Sequence, residues 1–171
     1  MFYGNTVTTK NCLKCGHCVY KFEQFNEIQA AVPDGQKNLS VYDCLNAHFN
    51  DETLNDLICI GCDDRTTYDK SFAPFQLPEI LIITLKRYGA TDGAGNFSMF
   101  GRARGLKKND ASIDIPQVLD MRPFIHPEAK DVTLEGADSY KLFGISHHYG
   151  SLMGGHYTSE AQDIDSEEWF S

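Results

Sequence analysis

Two short strings, "CLKC" at Cys12–Cys15 and "CIGC" at Cys59–Cys62, constrain this chain more than any other feature. Each C-x-x-C spacing lets two sulfurs meet one ion from a single tight turn. Two such knuckles complete the tetrahedral four-thiolate shell that zinc favours in closed, structural positions. The alternative is free or disulfide-linked cysteine. The first residues, "MFYGNTVTTKNC", lack the apolar core of a secretory signal, so the thiols are expected to be reduced or metal-bound before they are paired. We therefore expect one structural zinc ion held by Cys12, Cys15, Cys59 and Cys62. The segment between the knuckles is longer than in a compact zinc ribbon, so the site should tie together two hairpins distant in sequence. Four thiolates leave no open position, and such a zinc builds structure without activating water. Two cysteines remain: Cys18 opens the alternating string "CVYKFEQF", and Cys44 shares one helical face with Val41, Leu45 and Phe49, a core position.

The chain has 171 residues, 42% of them apolar, enough to bury one sizeable core. Its formal charge of −9 argues against nucleic acid and against an anionic membrane surface as partner. No apolar run approaches transmembrane length. An acidic balance suits a basic partner, although it also serves solubility. No internal repeat and no linker rich in Pro, Gly and Ser divides the chain.

The periodicities give a coarse outline. "VYKFEQF" alternates as a strand and "PDGQK" is a turn. Ser40 and Asp43 in "SVYDCLNAHF" form a capping-box pattern that opens a helix. "DETLNDL" reads as a second, short helical turn. "LPEILIITLKRY" holds a dense β-branched run expected to be a strand buried on both faces. "GATDGAGNFSMFGRARGLKKND" and "HPEAKDVTLEGAD" are connections, and "ASIDIP" is a short strand stopped by Pro116. "SYKLFGISHHY", "GHYTSEA" and "EEWF" are further strands. Helix near the start followed by mostly antiparallel strands indicates an α+β fold.

"GSLMGGHYTSE", from Gly150 to Glu160, admits two explanations. It is a glycine-rich turn between two strands, or it sets a catalytic imidazole at the mouth of a narrow slot; a glycine pair costs chain entropy and needs a reason.

Taken in order, F-x-G, the first knuckle, "LSVYDCL", the second knuckle, "LPEILIITLKRY", "IDIPQVLDMRPFI", "YKLFGISHHYGSLMGGHYTS" and a late Trp make a chain that resembles the ubiquitin-specific protease family of cysteine deubiquitinases. The resemblance runs from about Phe2 to Phe170. It implies a papain-like cysteine peptidase fold, here a single partial domain with zinc-bearing fingers over about 1–75 and an antiparallel palm over about 76–171. It implies His156 as the catalytic histidine, with Gly154, Gly155 and Tyr157 lining the channel for ubiquitin's Gly-Gly tail. His148 matches the histidine of the family's H-x-G loop, where it shapes that loop or serves as a structural histidine. The implied partner is ubiquitin or ubiquitinated protein, met by a monomer in the cytoplasm or nucleus.

The sequence also departs from the family. Nothing corresponds to the family's nucleophile box, because four cysteines suit a metal, Cys44 a core and Cys18 a strand. The residue that orients the histidine normally follows the late Trp, and Asp163 and Asp165 look like turn residues in "QDIDSEE". The chain alone is therefore expected to be inactive. A ubiquitin-binding pseudoprotease and a zinc-stabilised interaction scaffold are the alternatives.

Overall fold

The computed structural model describes residues 1–36, 38–91, 105–129, 138–151 and 154–171. The centres of the two long connections, 92–104 and 130–137, lie outside the described residues, as does part of the loop at 152–153.

Four strands build the largest sheet. These are β1 (Gly4–Cys12), β2 (Cys18–Phe25), β5 (Glu52–Cys59) and β6 (Asp64–Gln76), hydrogen-bonded in the order β2-β1-β6-β5 and antiparallel throughout. "CVYKFEQF" is strand β2, as its alternation predicts.

Between β2 and β5 the chain forms β3 (Ile28–Ala31), β4 (Asn38–Ser40) and one α-helix, α1 (Val41–His48). The capping box is present: Asp43 N–H donates to Ser40 Oγ, and the Asp43 carboxylate accepts from Ser40 N–H at 2.8 Å. Val41, Cys44 and Leu45 turn inward and Phe49 packs beside them, so Cys44 is the core residue its helical spacing indicates. The other side of this core comes from the second half, with Leu119, Met121 and Phe124.

That second half contributes β7 (Ile83–Lys86), β8 (Tyr88–Thr91), β9 (Gly105–Lys108), β10 (Ser112–Asp114), β11 (Val118–Asp120), β12 (Ser139–Lys141), β13 (Gly144–Ser151), β14 (Gly154–Gln162) and β15 (Trp169–Phe170). Strands β13, β14 and β15 form one antiparallel sheet, and β8 with β9 and β11 with β12 form antiparallel ribbons. Two pairings are parallel, β3 with β7 and β4 with β10. They attach the segment around α1, which lies within the first 75 residues, to strands from the second half. The architecture is α+β, dominated by sheet with one α-helix among the described residues.

Two local expectations are corrected. "DETLNDL" is strand β5, not a helical turn. Its Leu54 and Leu57 are three apart because a bulge inserts one residue: Leu54 pairs with Tyr68, and Leu57 with Thr66. Within that bulge Asp56 adopts a positive φ of 64°. "LPEILIITLKRY" forms strand β7 over Ile83–Lys86, half-buried in alternation and not covered on both faces, and its last residue, Tyr88, opens β8. Leu81 to Leu85 line an open cleft, and of these Leu81, Ile83 and Leu85 also pack against the core.

Candidate functional site

The four-cysteine cluster follows from the hairpins that carry it. Strand β1 ends at Cys12 and β2 opens at Cys18, so "CLKC" is the turn between them; β5 ends at Cys59 and β6 opens at Asp64, so "CIGC" is the turn of the second hairpin. Because β1 pairs with β6, with Cys12 opposite Tyr68, both turns fall at the same end of the sheet. Gly16 takes φ +72° and donates its N–H to Cys12 O at 2.9 Å, which closes the first turn. In the second turn a Cβ on Gly61 would stand 2.7 Å from Cβ and Cγ of His17, so this position needs glycine for the two turns to approach. An ion pair between Lys14 and Asp64 bridges them on the outside.

The sulfur atoms of Cys12, Cys15, Cys59 and Cys62 all lie within 4.8 Å of one another. A zinc–sulfur bond of about 2.3 Å gives a tetrahedron with edges of about 3.8 Å; the Cys15 and Cys59 sulfurs are 3.7 Å apart. Cys12 and Cys59 are buried against Tyr68. All six cysteines are unpaired. The Tyr68 hydroxyl, bonded to the Cys59 sulfur, draws that thiol down to about 6, while desolvation and the neighbouring sulfurs push Cys62 up to about 12. Four crowded thiols driven apart in this way cannot all ionise without a cation among them. The donor set fits a metal ion of zinc type, and Gly61 N–H adds an outer hydrogen bond to Cys59 Sγ at 3.3 Å.

The second constellation sits on the β13–β14 hairpin. The register sets His148 opposite Tyr157, Tyr149 opposite His156, and Gly150 opposite Gly155. His156 and Tyr157 are exposed, as is Gly154, around which an added Cβ would meet nothing within 4 Å. Gly155 differs: a Cβ there would stand 2.3 Å from both His148 Nε2 and Tyr149 O. His148 is half-buried, with its ring centroid 4.7 Å from that of Tyr157 and its Nδ1 2.7 Å from Tyr88 Oη. The His147 Nε2 lies 3.4 Å from the Glu160 carboxylate, an ion-pair distance without hydrogen-bond alignment. A cleft of about 1720 Å³ runs beside the hairpin, lined by Ile82, Phe143, Ile145, His148 and Tyr157 among others.

Asp163 is committed to a turn, where it accepts the N–H groups of Asp165 and Ser166 at 2.9 and 2.8 Å. Those two N–H groups hold its carboxyl below the usual range. The hairpin and the cysteine cluster are separate sites on separate sheets. Tyr68 beside Cys59, Tyr88 against His148 and the packing role of Gly155 have no signature in the sequence, because each depends on strand register or on a partner from another strand.

A sheet-rich α+β fold, two hairpins joined at four cysteines and a histidine-bearing hairpin beside an open cleft describe a protein class that the chain's relatives make specific. The family described as "Ubiquitin carboxyl-terminal hydrolase" matches residues 1–171. Ubiquitin carboxyl-terminal hydrolase 2 from Gallus gallus is 28% identical over all of this chain and 44% of its own length. Ubiquitin carboxyl-terminal hydrolase 21 from Homo sapiens is 30% identical over 88% of this chain and 25% of its own length. Among solved structures, Ubp8 in the SAGA DUB module with Sgf11, Sus1 and Sgf73, bound to ubiquitin aldehyde, aligns with a TM-score of 0.76 at 23% identity, covering 99% of this chain and 35% of that one. The module with a substituted Ubp8, bound to monoubiquitin, aligns with a TM-score of 0.78 at 23% identity, again over 99% of this chain and 35% of that one. The chain spans less than half the length of these relatives. It belongs to the ubiquitin carboxyl-terminal hydrolase family, the deubiquitinases, and its fold is that of the part of Ubp8 it matches.

Proposed function

We propose that this chain is the fingers and palm, about 1–75 and about 76–171, of a cysteine peptidase that cleaves the peptide or isopeptide bond after ubiquitin's C-terminal glycine. The observation that carries it is His156, exposed on β14 next to the Gly154–Gly155 pair, at a cleft lined by its neighbour Tyr157. A cysteine thiol near pKa ~8.5 is a weak nucleophile at neutral pH. An imidazole beside it takes the proton as the thiolate forms, and returns it to the departing amine. His156 holds and moves that proton. Gly154, with open space where a side chain would stand, lets the Gly-Gly tail pass close to the backbone, and Tyr157 walls the channel. Gly155 and His148 shape the same edge from within.

The nucleophile comes from outside these residues. Of the six cysteines, four form the cluster, Cys44 is fully buried on the inner face of α1, and Cys18 opens strand β2. The cluster holds one zinc ion, which supplies structure and no reactive water. Reduced thiols fit the cytoplasm or nucleus, and among the described residues no helix is long and apolar enough to cross a membrane. Ubiquitin is the partner. The solved neighbours give no support to a chain that works as a monomer, since Ubp8 there is part of a four-protein module.

The 171-residue chain alone should not turn over ubiquitin amides. It should bind ubiquitin weakly, with Kd on the order of 10–1000 μM, seen as shifts at the tail of labelled ubiquitin. In the intact polypeptide that carries the nucleophile, His156→Ala should lower kcat by about 10⁴-fold. Turnover by the chain alone that survives an alkylation control, or an intact His156→Ala enzyme of normal rate, would overturn this assignment.

A further inference from the structure

Strands β8 and β9 place Tyr88 directly opposite Lys108, and both side chains reach the same stretch of β13. Tyr88 Oη lies 2.7 Å from His148 Nδ1. Lys108 Nζ donates to the carbonyl oxygens of His148 at 3.2 Å and Gly150 at 3.0 Å, and pairs with Asp110 at 3.1 Å. An ammonium has three donors, and here each has an acceptor. The Lys108 side chain is only 12% exposed, so these are not the incidental contacts of a solvated lysine; a charge withdrawn from water persists only where it is paired.

The residues so gripped, His148 to Gly150, lie opposite Gly155 to Tyr157 in the hairpin. The His148 ring occupies the space over Gly155 and packs on Tyr157, so displacement of β13 passes directly to the backbone on either side of His156. We propose that Tyr88 and Lys108 are positioning residues for His156, a two-residue clamp that fixes the β13–β14 hairpin through the His148 ring and the carbonyls of His148 and Gly150. This rests on His156 being the proton-transfer group.

Two measurements test the clamp. In the 171-residue chain, folded and unfolded molecules in slow exchange give separate imidazole nitrogen signals, so a lower folded fraction weakens the folded signals without moving them. Tyr88→Phe, which keeps the ring and loses one hydroxyl, and Lys108→Met should each move the His148 and His156 resonances and leave those of His17 and His126 unmoved. Lys108→Arg, which can still donate to both carbonyls, should restore them. An unmoved His156 signal in both variants overturns the clamp. In the intact polypeptide the same variants should lower kcat by about 10–100-fold with KM nearly unchanged. Unchanged kcat overturns the clamp equally, as does a fall that Lys108→Arg does not reverse. An intact wild-type enzyme without any turnover would instead sink the peptidase assignment, and the spectra would still decide whether the clamp exists.

Discussion

At Gly155 one added methyl group would stand 2.3 Å from a histidine nitrogen and from a backbone carbonyl oxygen. Neither neighbour has open room, because the ring is held by Tyr88 and the carbonyl belongs to the paired strand. Gly155→Ala should therefore cost about 1–3 kcal/mol, the usual range for overpacking, measured by denaturant unfolding. Gly154→Ala meets nothing within 4 Å, and its stability should stay within about 0.5 kcal/mol of the parent. If Gly154 borders the tail channel, that variant should nonetheless weaken ubiquitin binding. Gly155→Ala thus tests a packing role, and Gly154→Ala the proposed tail channel. In the core, Leu45 is wholly buried, and Leu45→Ala should cost about 2–5 kcal/mol by the same measurement.

Helix α1 has only eight residues, too few to be stable by propensity, so its ends and its apolar face must hold it. Ser40→Ala removes the cap and should cost about 1 kcal/mol. Asp43, bonded to the Ser40 hydroxyl and N–H, has its carboxyl held below the usual carboxylate range. Its contribution is complete above about pH 4 and is lost as pH falls through the folded value. His48, in the last turn, is a contest between two effects. A cation there is favoured by the helix dipole by about 0.3–1 kcal/mol. Burial among Phe49 and Phe72, with Lys86 adding repulsion, opposes the charge and wins, so His48 titrates below its usual 6.5. A depressed histidine is protonated more readily in the unfolded chain. Stability should then fall as pH drops below about 6.5 toward the folded value, and His48→Phe should flatten that part of the curve. A pH slope unchanged by the substitution would contradict this account.

Among the described residues there are two separate buried clusters, one around α1 and one at the four cysteines. Structural zinc in small finger peptides contributes about 10–16 kcal/mol of apparent binding free energy. Protein purified without added metal should carry about one zinc per chain. Chelation should raise amide exchange first at the knuckle ends of β1, β2, β5 and β6, ahead of the core around Leu45 and Met121. A stoichiometry near zero in a well-folded chain would remove zinc from the account.

What the sequence by itself determined is what short-range physics controls. The C-x-x-C spacing fixes a turn with two convergent sulfurs, and the capping box with its following apolar positions fixes α1. The flanking alternations around "GSLMGGHY" fix a hairpin that carries His156. Asp163 could be assigned to a turn for the same reason, since its acceptors are satisfied within three residues. Tertiary structure alone decided the rest. The parallel pairings of β3 with β7 and β4 with β10 join segments far apart, and no local periodicity names a distant partner. "DETLNDL" carries an apolar spacing of three that suits a helix equally well, until β6 supplies hydrogen bonds and a bulge absorbs the extra residue. "LPEILIITLKRY" is apolar enough for a buried strand, but burial depends on what covers it, and here one side lines an open cleft. The four sulfurs meet only because β1 pairs with β6, and the grip of Tyr88 and Lys108 on His148 exists only because one ribbon packs beside one hairpin.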